Sequence, residues 1–189
     1  MAILPIVTYN DEVLREKAAE VKELTPEIKK LIRDMFETMY ESEGVGLAAP
    51  QIGKSLRIFV MDADVITEDE DDIEDLGPIT FINPVIKEFK GDKVRMEEGC
   101  LSIPDVRDSV TRHETIVVDY LDESFEPRTI EVSGWNSRVI QHEYDHLDGI
   151  LFIDHLNAFR KGLHSVKLMQ IEKGEMKTSY QLAPKMNRV

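Results

Sequence analysis

Apolar residues first recur at helical spacing at Ile28, Leu31, Ile32, Met35 and Met39, which predicts an amphipathic helix from Glu27 to about Ser42. Thr25 and Pro26 stand where an N-cap and a first helical residue belong. Gly44-Val45-Gly46-Leu47-Ala48-Ala49-Pro50-Gln51 then breaks the pattern, and its two glycines and proline predict an irregular, closely packed segment. Runs rich in Ile, Val, Phe, Tyr and Thr predict strands at Leu56–Met61, Ile79–Ile82, Val85–Phe89, Thr115–Tyr120 and Thr129–Val132. Asp122-Glu123-Ser124 supplies a hairpin turn between the last two.

Gly134-Trp135 opens a second helix that stops at Asp148-Gly149, with glycine as the C-terminal cap. Trp135, Val139, His142 and His146 share one face of it, and Ile140, Tyr144 and Leu147 another. Apolar groups on two faces predict a helix enclosed by strands. A further helix is expected from Asn157 to Ile171, and a last strand near Met176–Gln181. Strands that precede helices without βαβ alternation disfavour a doubly wound sheet. The expected fold is α+β, with short antiparallel sheets around a central helix carrying the histidines and the Glu27–Ser42 helix packed outside. No repeat or linker divides residues 1–189, so one domain is expected.

The 189 residues are enough to bury an ordinary core, and 42% hydrophobic with 32% charged content describes a soluble globular chain. No apolar run is long enough to span a bilayer. The first residues lack a basic region, Pro5 interrupts their apolar run, and Asp11, Glu12 and Glu16 count against a transit peptide. A lone cysteine suits a reducing compartment, so a cytoplasmic protein with no membrane partner is expected. The net charge of −14 excludes a broad DNA interface. It is unevenly spread. Nine carboxylates between Asp62 and Asp75 predict an acidic surface loop over 62–77, whose spacing matches no calcium-loop pattern. Residues 156–189 form a basic C-terminal helix and tail with seven Lys or Arg against Glu172 and Glu175. A solvated helix face with a frayed tail accounts for this; a sharper reading has the tail touch an acidic partner or the ribosome. Residues after about 175 are expected to be dispensable for turnover.

His142-Glu143-Tyr144-Asp145-His146 is the chemical signal. Histidines at i and i+4 lie one above the other on a helix face and can bind one metal ion, with Glu143 placed to take a proton from a metal-bound water. The only cysteine, Cys100, stands in Glu98-Gly99-Cys100-Leu101-Ser102, a poor sequence for the middle of a buried strand. A thiolate beside a cation is a good ligand. Cys100, His142 and His146 would leave a fourth tetrahedral position open for water.

Three separate motifs, Gly44–Gln51, Glu98–Ser102 and His142–His146, make the chain resemble the peptide deformylases over roughly residues 3–160. The family removes the formyl group from the N-terminal methionine of newly synthesised polypeptides. The resemblance implies that Cys100, His142 and His146 bind one Fe(II), for which Zn(II), Ni(II) or Co(II) can substitute. It further implies that metal-bound water attacks the formyl carbonyl while Glu143 takes its proton and later delivers it to the leaving amine. The oxyanion is received by the metal, the Leu101 backbone N–H and the Gln51 side-chain amide. Val45 and Gly46 are expected to line the substrate site, with Val139 a candidate for the same pocket or for simple core packing. Arg138 offers its aliphatic stem to that pocket or a surface salt bridge, and Asp145 is expected to orient a ligand or a strand. The implied partners are formylated nascent polypeptides. A thiolate–iron site is expected to lose activity in air.

Two other readings compete. A zinc endopeptidase shares the two histidines and the glutamate but takes its next ligand downstream, where His155 and His164 stand without the glycine-turn pattern of the three-histidine class. A non-catalytic protein would close the metal with a fourth protein ligand.

Overall fold

The computed structural model describes residues 2–64 and 76–184. The first helix, α1, spans Pro26–Glu41 and starts as its sequence dictates. Thr25 Oγ1 accepts from the Ile28 N–H at 3.3 Å, and Pro26 occupies the first turn. Ile32, Met35 and Met39 turn inward onto β1 (Gly46–Ala48) and β2 (Ile58–Met61). The segment predicted to be irregular is thus a short strand followed by a 3-10 turn at Ala49–Ile52.

The described residues form one five-stranded antiparallel sheet, ordered β1-β2-β3-β4-β5, where several short sheets were expected. Two strands dominate it, β3 (Ile79–Cys100) and β4 (Ile103–Leu121), and β5 (Pro127–Ser133) pairs along the latter. The two strands predicted at Ile79–Ile82 and Val85–Phe89 are parts of β3. The gap between them is a register shift at Asn83, which has φ +49° and whose side-chain amide bonds both backbone groups of Val21. The remainder of β3 escaped notice because residues 87–93 are exposed throughout and show no alternation. In β4 the pattern does alternate, but Asp108 and Arg112 take inward positions between Val106, Val110 and Ile116 and break its hydrophobic reading.

The helix that bears the two histidines, α2, spans Gly134–Leu147 and buries ten of its fourteen residues. Val139, Ile140 and Leu147 pack with Phe59, Phe81, Ile116 and Val118 of the sheet. Arg57 closes its C-terminal end, donating to the Leu147 carbonyl at 3.2 Å and to Asp148 at 2.7 Å, where a cation also suits the helix dipole. Gly149 is required there: at φ +74° an added Cβ would lie 2.7 Å from the Arg15 carbonyl oxygen.

The predicted helix from Asn157 to Ile171 is two helices, α3 (Ala158–Leu163) and α4 (Ser165–Lys173). They meet at His164, whose ring lies 2.9 Å from buried Asp108. Arg160 also ion-pairs with Asp108. In place of a strand at Met176–Gln181, a single bridge joins Ile6 and Leu182. Up to residue 184 the predicted tail is packed, Tyr180 and Leu182 against the cluster around Ile6 and Met39, and Met176 and Ala183 against the one around Phe152; its last residues, 185–189, lie outside the described residues. Of the acidic run, residues 65–75 lie outside the described residues. At its edges Asp62 accepts from the Tyr40 hydroxyl, and Asp64 accepts from the Leu76 and Gly77 N–H groups. No helix of the described residues is long and apolar enough to cross a membrane.

Candidate active site

The turn between β3 and β4 and the middle of α2 meet at one point. Cys100 ends β3, its register partner Ile103 begins β4, and Leu101-Ser102 make the turn. The Cys100 Sγ lies 3.3 Å from His146 Nε2. One helical turn away the His142 ring stands at 80° to that of His146, with centroids 5.1 Å apart. The potential ligand atoms of Cys100, His142 and His146 lie within 4.8 Å of one another, and no other such group occurs among the described residues. His155 and His164 are directed elsewhere, to Asp145 at 2.7 Å and Asp108 at 2.9 Å. The downstream ligand that an endopeptidase needs is therefore missing from the described residues, as is a fourth ligand for a closed structural site.

The donor set fits a transition metal. It joins a soft thiolate to two buried imidazoles, and His142 gives its Nδ1 to Glu98 Oε2 at 2.9 Å, which leaves Nε2 for an ion. Glu98 is itself held by Arg112, Nε to Oε1 at 2.6 Å and Nη2 to Oε2 at 3.0 Å, and by Arg138 Nη1 at 2.9 Å. Burial would raise the Glu98 carboxyl, but His142 and Arg112 outweigh it and hold the group well below the usual range. Arg112 continues to Asp145 at 2.7 Å. The expected ligand-orienting role of Asp145 thus runs through two intermediates, Arg112 and Glu98.

Arg138 neither closes a substrate pocket nor forms a surface salt bridge. It is buried and also donates to the carbonyls of Val110 and Val94, at 3.0 and 2.7 Å. Sequence reasoning missed this quartet, in which buried Glu98, Arg112 and Arg138 are joined by the partly exposed Asp145. The available signal was Arg112 itself, a cation at an inward position of an alternating strand.

Glu143 is buried, and one oxygen, Oε2, has no hydrogen-bond partner. Burial raises its carboxyl to about 7, which makes it a group able to hold and release a proton near neutrality. The backbone of Gly46 lies against it. A Cβ built at that glycine would stand 2.5 Å from Glu143 Oε1 and 2.9 Å from its Cδ. The glycine thus admits the carboxylate, a nearer reason for its presence than the approach of a substrate.

Gln51 stands in the 3-10 turn. Its Oε1 accepts from the Ala48 N–H at 2.8 Å, which turns Nε2 toward Cys100 Sγ at 3.5 Å. Val139 and Val45 belong to one apolar cluster, so core packing accounts for Val139 as it stands. Of the residues singled out from sequence, Cys100, His142, His146, Gln51, Glu143, Gly46 and Leu101 converge here.

Comparison with known proteins gives this geometry its relatives. The family model for polypeptide deformylase matches residues 3–162. The peptide deformylase of Salinibacter ruber is 46% identical over 189 residues, covering 97% of this chain and 95% of its own. That of Cytophaga hutchinsonii is 46% identical over 182 residues, covering 95% and 96%. Among solved structures, the peptide deformylase of Ehrlichia chaffeensis in complex with actinonin superposes with a TM-score of 0.83 at 38% identity, over 94% of this chain and all of that one. The enzyme of Thermus thermophilus gives 0.81 at 40% identity, over 92% of this chain and all of that one. The chain belongs to the polypeptide deformylase family.

Proposed function

We propose that this enzyme removes the N-formyl group from the N-terminal methionine of newly synthesised polypeptides in the cytoplasm, releasing formate, with Fe(II) held by Cys100, His142 and His146. Zn(II), Ni(II) or Co(II) would occupy the same ligands. The observation that carries the reading is the cysteine sulfur: the lone cysteine meets the histidine pair where an endopeptidase would place a downstream ligand. A bound metal of this kind supplies Lewis acidity, which makes water nucleophilic near neutral pH and draws charge from the formyl oxygen.

The remaining chemistry belongs to side chains and backbone. Glu143 takes the proton of the attacking water and delivers it to the departing amine, which leaves poorly unless protonated. Its unpartnered oxygen leaves it free for both halves of the cycle. The oxyanion is received by Gln51 Nε2, which is held in place because the other end of its amide is tied to Ala48, and by the Leu101 N–H. Val45 and Gly46 form the wall against the methionine side chain, with Val139 packed behind Val45 in the same apolar cluster.

The test is release of formate from formyl-Met peptides by protein purified anaerobically with Fe(II). Glu143→Ala is expected to lower kcat by about 10²–10⁴-fold, and Cys100→Ala to abolish turnover together with iron retention. Near wild-type deformylation in either variant would refute the assignment. The iron form is further expected to lose activity in air while a nickel form keeps it.

A further inference from the structure

The C-terminal segment lies beyond the 3–162 range matched by the family model, yet it reaches the turn that carries Leu101. The Tyr180 hydroxyl donates to the Leu101 carbonyl at 2.7 Å. Burial raises this phenol above its ordinary value, with Cys100 and Asp105 adding to the effect, so the hydroxyl stays protonated and serves as a donor.

We infer that Tyr180 is a positioning residue for deformylation, fixing the backbone of Leu101 so that its N–H is held toward the formyl oxygen. The inference rests on the oxyanion role proposed above for Leu101.

The turn is otherwise held at its flanks. On one side Cys100 is paired with Ile103 in the sheet. On the other, the Ser102 carbonyl accepts from the Tyr9 N–H at 2.9 Å. Between them the Leu101 N–H lies in the peptide plane shared with Cys100 and the Leu101 carbonyl in the next plane; the two planes are joined through φ and ψ of Leu101, so a bond that anchors the second restrains how far the first can turn. Tyr180 supplies that bond.

The tyrosine is in turn kept in register by backbone pairing. Ile6 N–H donates to the Gln181 carbonyl at 2.9 Å, and the Ala183 N–H donates back to Ile6 at 2.7 Å. The next residue, Val7, donates to the Gln51 carbonyl at 2.8 Å. A single N-terminal segment, Ile6 to Tyr9, therefore ties the tail to Gln51 and to Ser102, the neighbour of Leu101. The tail is part of the site's frame, against the expectation that residues after about 175 are dispensable.

A purely structural account would have the Tyr180 ring fill space beside Leu101, Leu4 and Leu182. Tyr180→Phe separates the two, because it keeps the ring and removes only the hydroxyl. In the full-length, metal-loaded enzyme, at a temperature well below unfolding, the expected result is a fall in kcat of about five- to tenfold, the scale of one net hydrogen bond. KM for a formyl-Met peptide should stay within about twofold, since a loss confined to the transition state lowers kcat rather than binding. Metal content should match the wild type, and amide hydrogen exchange over residues 100–103 should quicken. An unchanged kcat with unchanged exchange would overturn the inference, as would a loss fully explained by less folded or less metallated protein. Glu143→Ala measured in parallel keeps the two proposals apart. If it is inactive while Tyr180→Phe equals the wild type, only the inference fails; if it remains active, the site reading fails and this inference with it.

Discussion

On the His142 side of the site, four charged side chains, Glu98, Arg112, Arg138 and Asp145, are packed against one another beneath a single imidazole. On the Cys100 side the supports are neutral: backbone pairing, the Gln51 amide and the Tyr180 hydroxyl. The contrast follows from what each side must do. A histidine ligand has to be fixed in tautomer and ring orientation, and a buried carboxylate on Nδ1 does that, provided its own charge is compensated. A turn that presents an N–H to a developing oxyanion has only to be rigid, and any further full charge beside it would bias the reaction centre. The two sides should therefore fail differently, one by loss of stability and metal, the other by loss of rate.

The largest effect is expected from Glu98→Ala. It leaves two buried guanidinium groups short of a partner, and removing one member of such a network destabilises by about 3–5 kcal/mol. Metal affinity should also fall by about 10–100-fold, since the group orienting a ligand is lost. Chemical denaturation of the metal-free protein and a metal-competition titration would report the two effects. The same carboxylate sets an acid limit. Its folded value lies below the ordinary 4.5, so its contribution to stability is complete above that pH and is lost as the pH falls below it. A Glu98→Gln variant should show a weaker fall in stability over that acid range.

Gly46→Ala is the next test. With no room for a Cβ beside Glu143, either the carboxylate or the strand must shift, at about 1–3 kcal/mol, and kcat should drop with it. A variant of wild-type rate and stability would show that the contact is not constraining.

Glu143→Gln works in the opposite direction. Burial raises this carboxyl from 4.5 to about 7, so in the metal-free protein its ionisation opposes folding increasingly as the pH rises between those values. The variant should be inactive, yet at pH 8 its metal-free form should be more stable than the wild type by about 1–3 kcal/mol. Thermal unfolding with chelator present would decide it. His155→Phe should have the smallest effect. The histidine is about one-third exposed and bonds the outermost carboxylate, Asp145, so a stability change of about 1 kcal/mol or less is expected.

The legible parts of the molecule are those where local chemistry and burial agree. Thr25-Pro26 and the inward row Ile32, Met35 and Met39 place α1 within a residue of its observed limits. The glycine after Asp148 ends α2. The ligand trio was legible for another reason: each donor is a rare residue type in a spacing with chemical meaning. What stayed hidden was tertiary. Asp108 and Arg112 sit inward to serve partners far away in sequence, Arg160 and Asp145, and so disguise the long strand that carries them. His164 divides what reads as one helix because Asp108 holds its ring. Tyr180 lies seventy-nine residues from the carbonyl it restrains, and no local pattern marks it.

The central claim is that the only cysteine of the chain completes the metal site. Optical spectroscopy of the Co(II)-substituted protein tests it most directly, because a thiolate ligand adds a near-ultraviolet charge-transfer band that imidazoles and carboxylates do not. The account predicts that band in the wild type and its loss in Cys100→Ser, with cobalt bound more weakly. An unchanged spectrum in Cys100→Ser would contradict it.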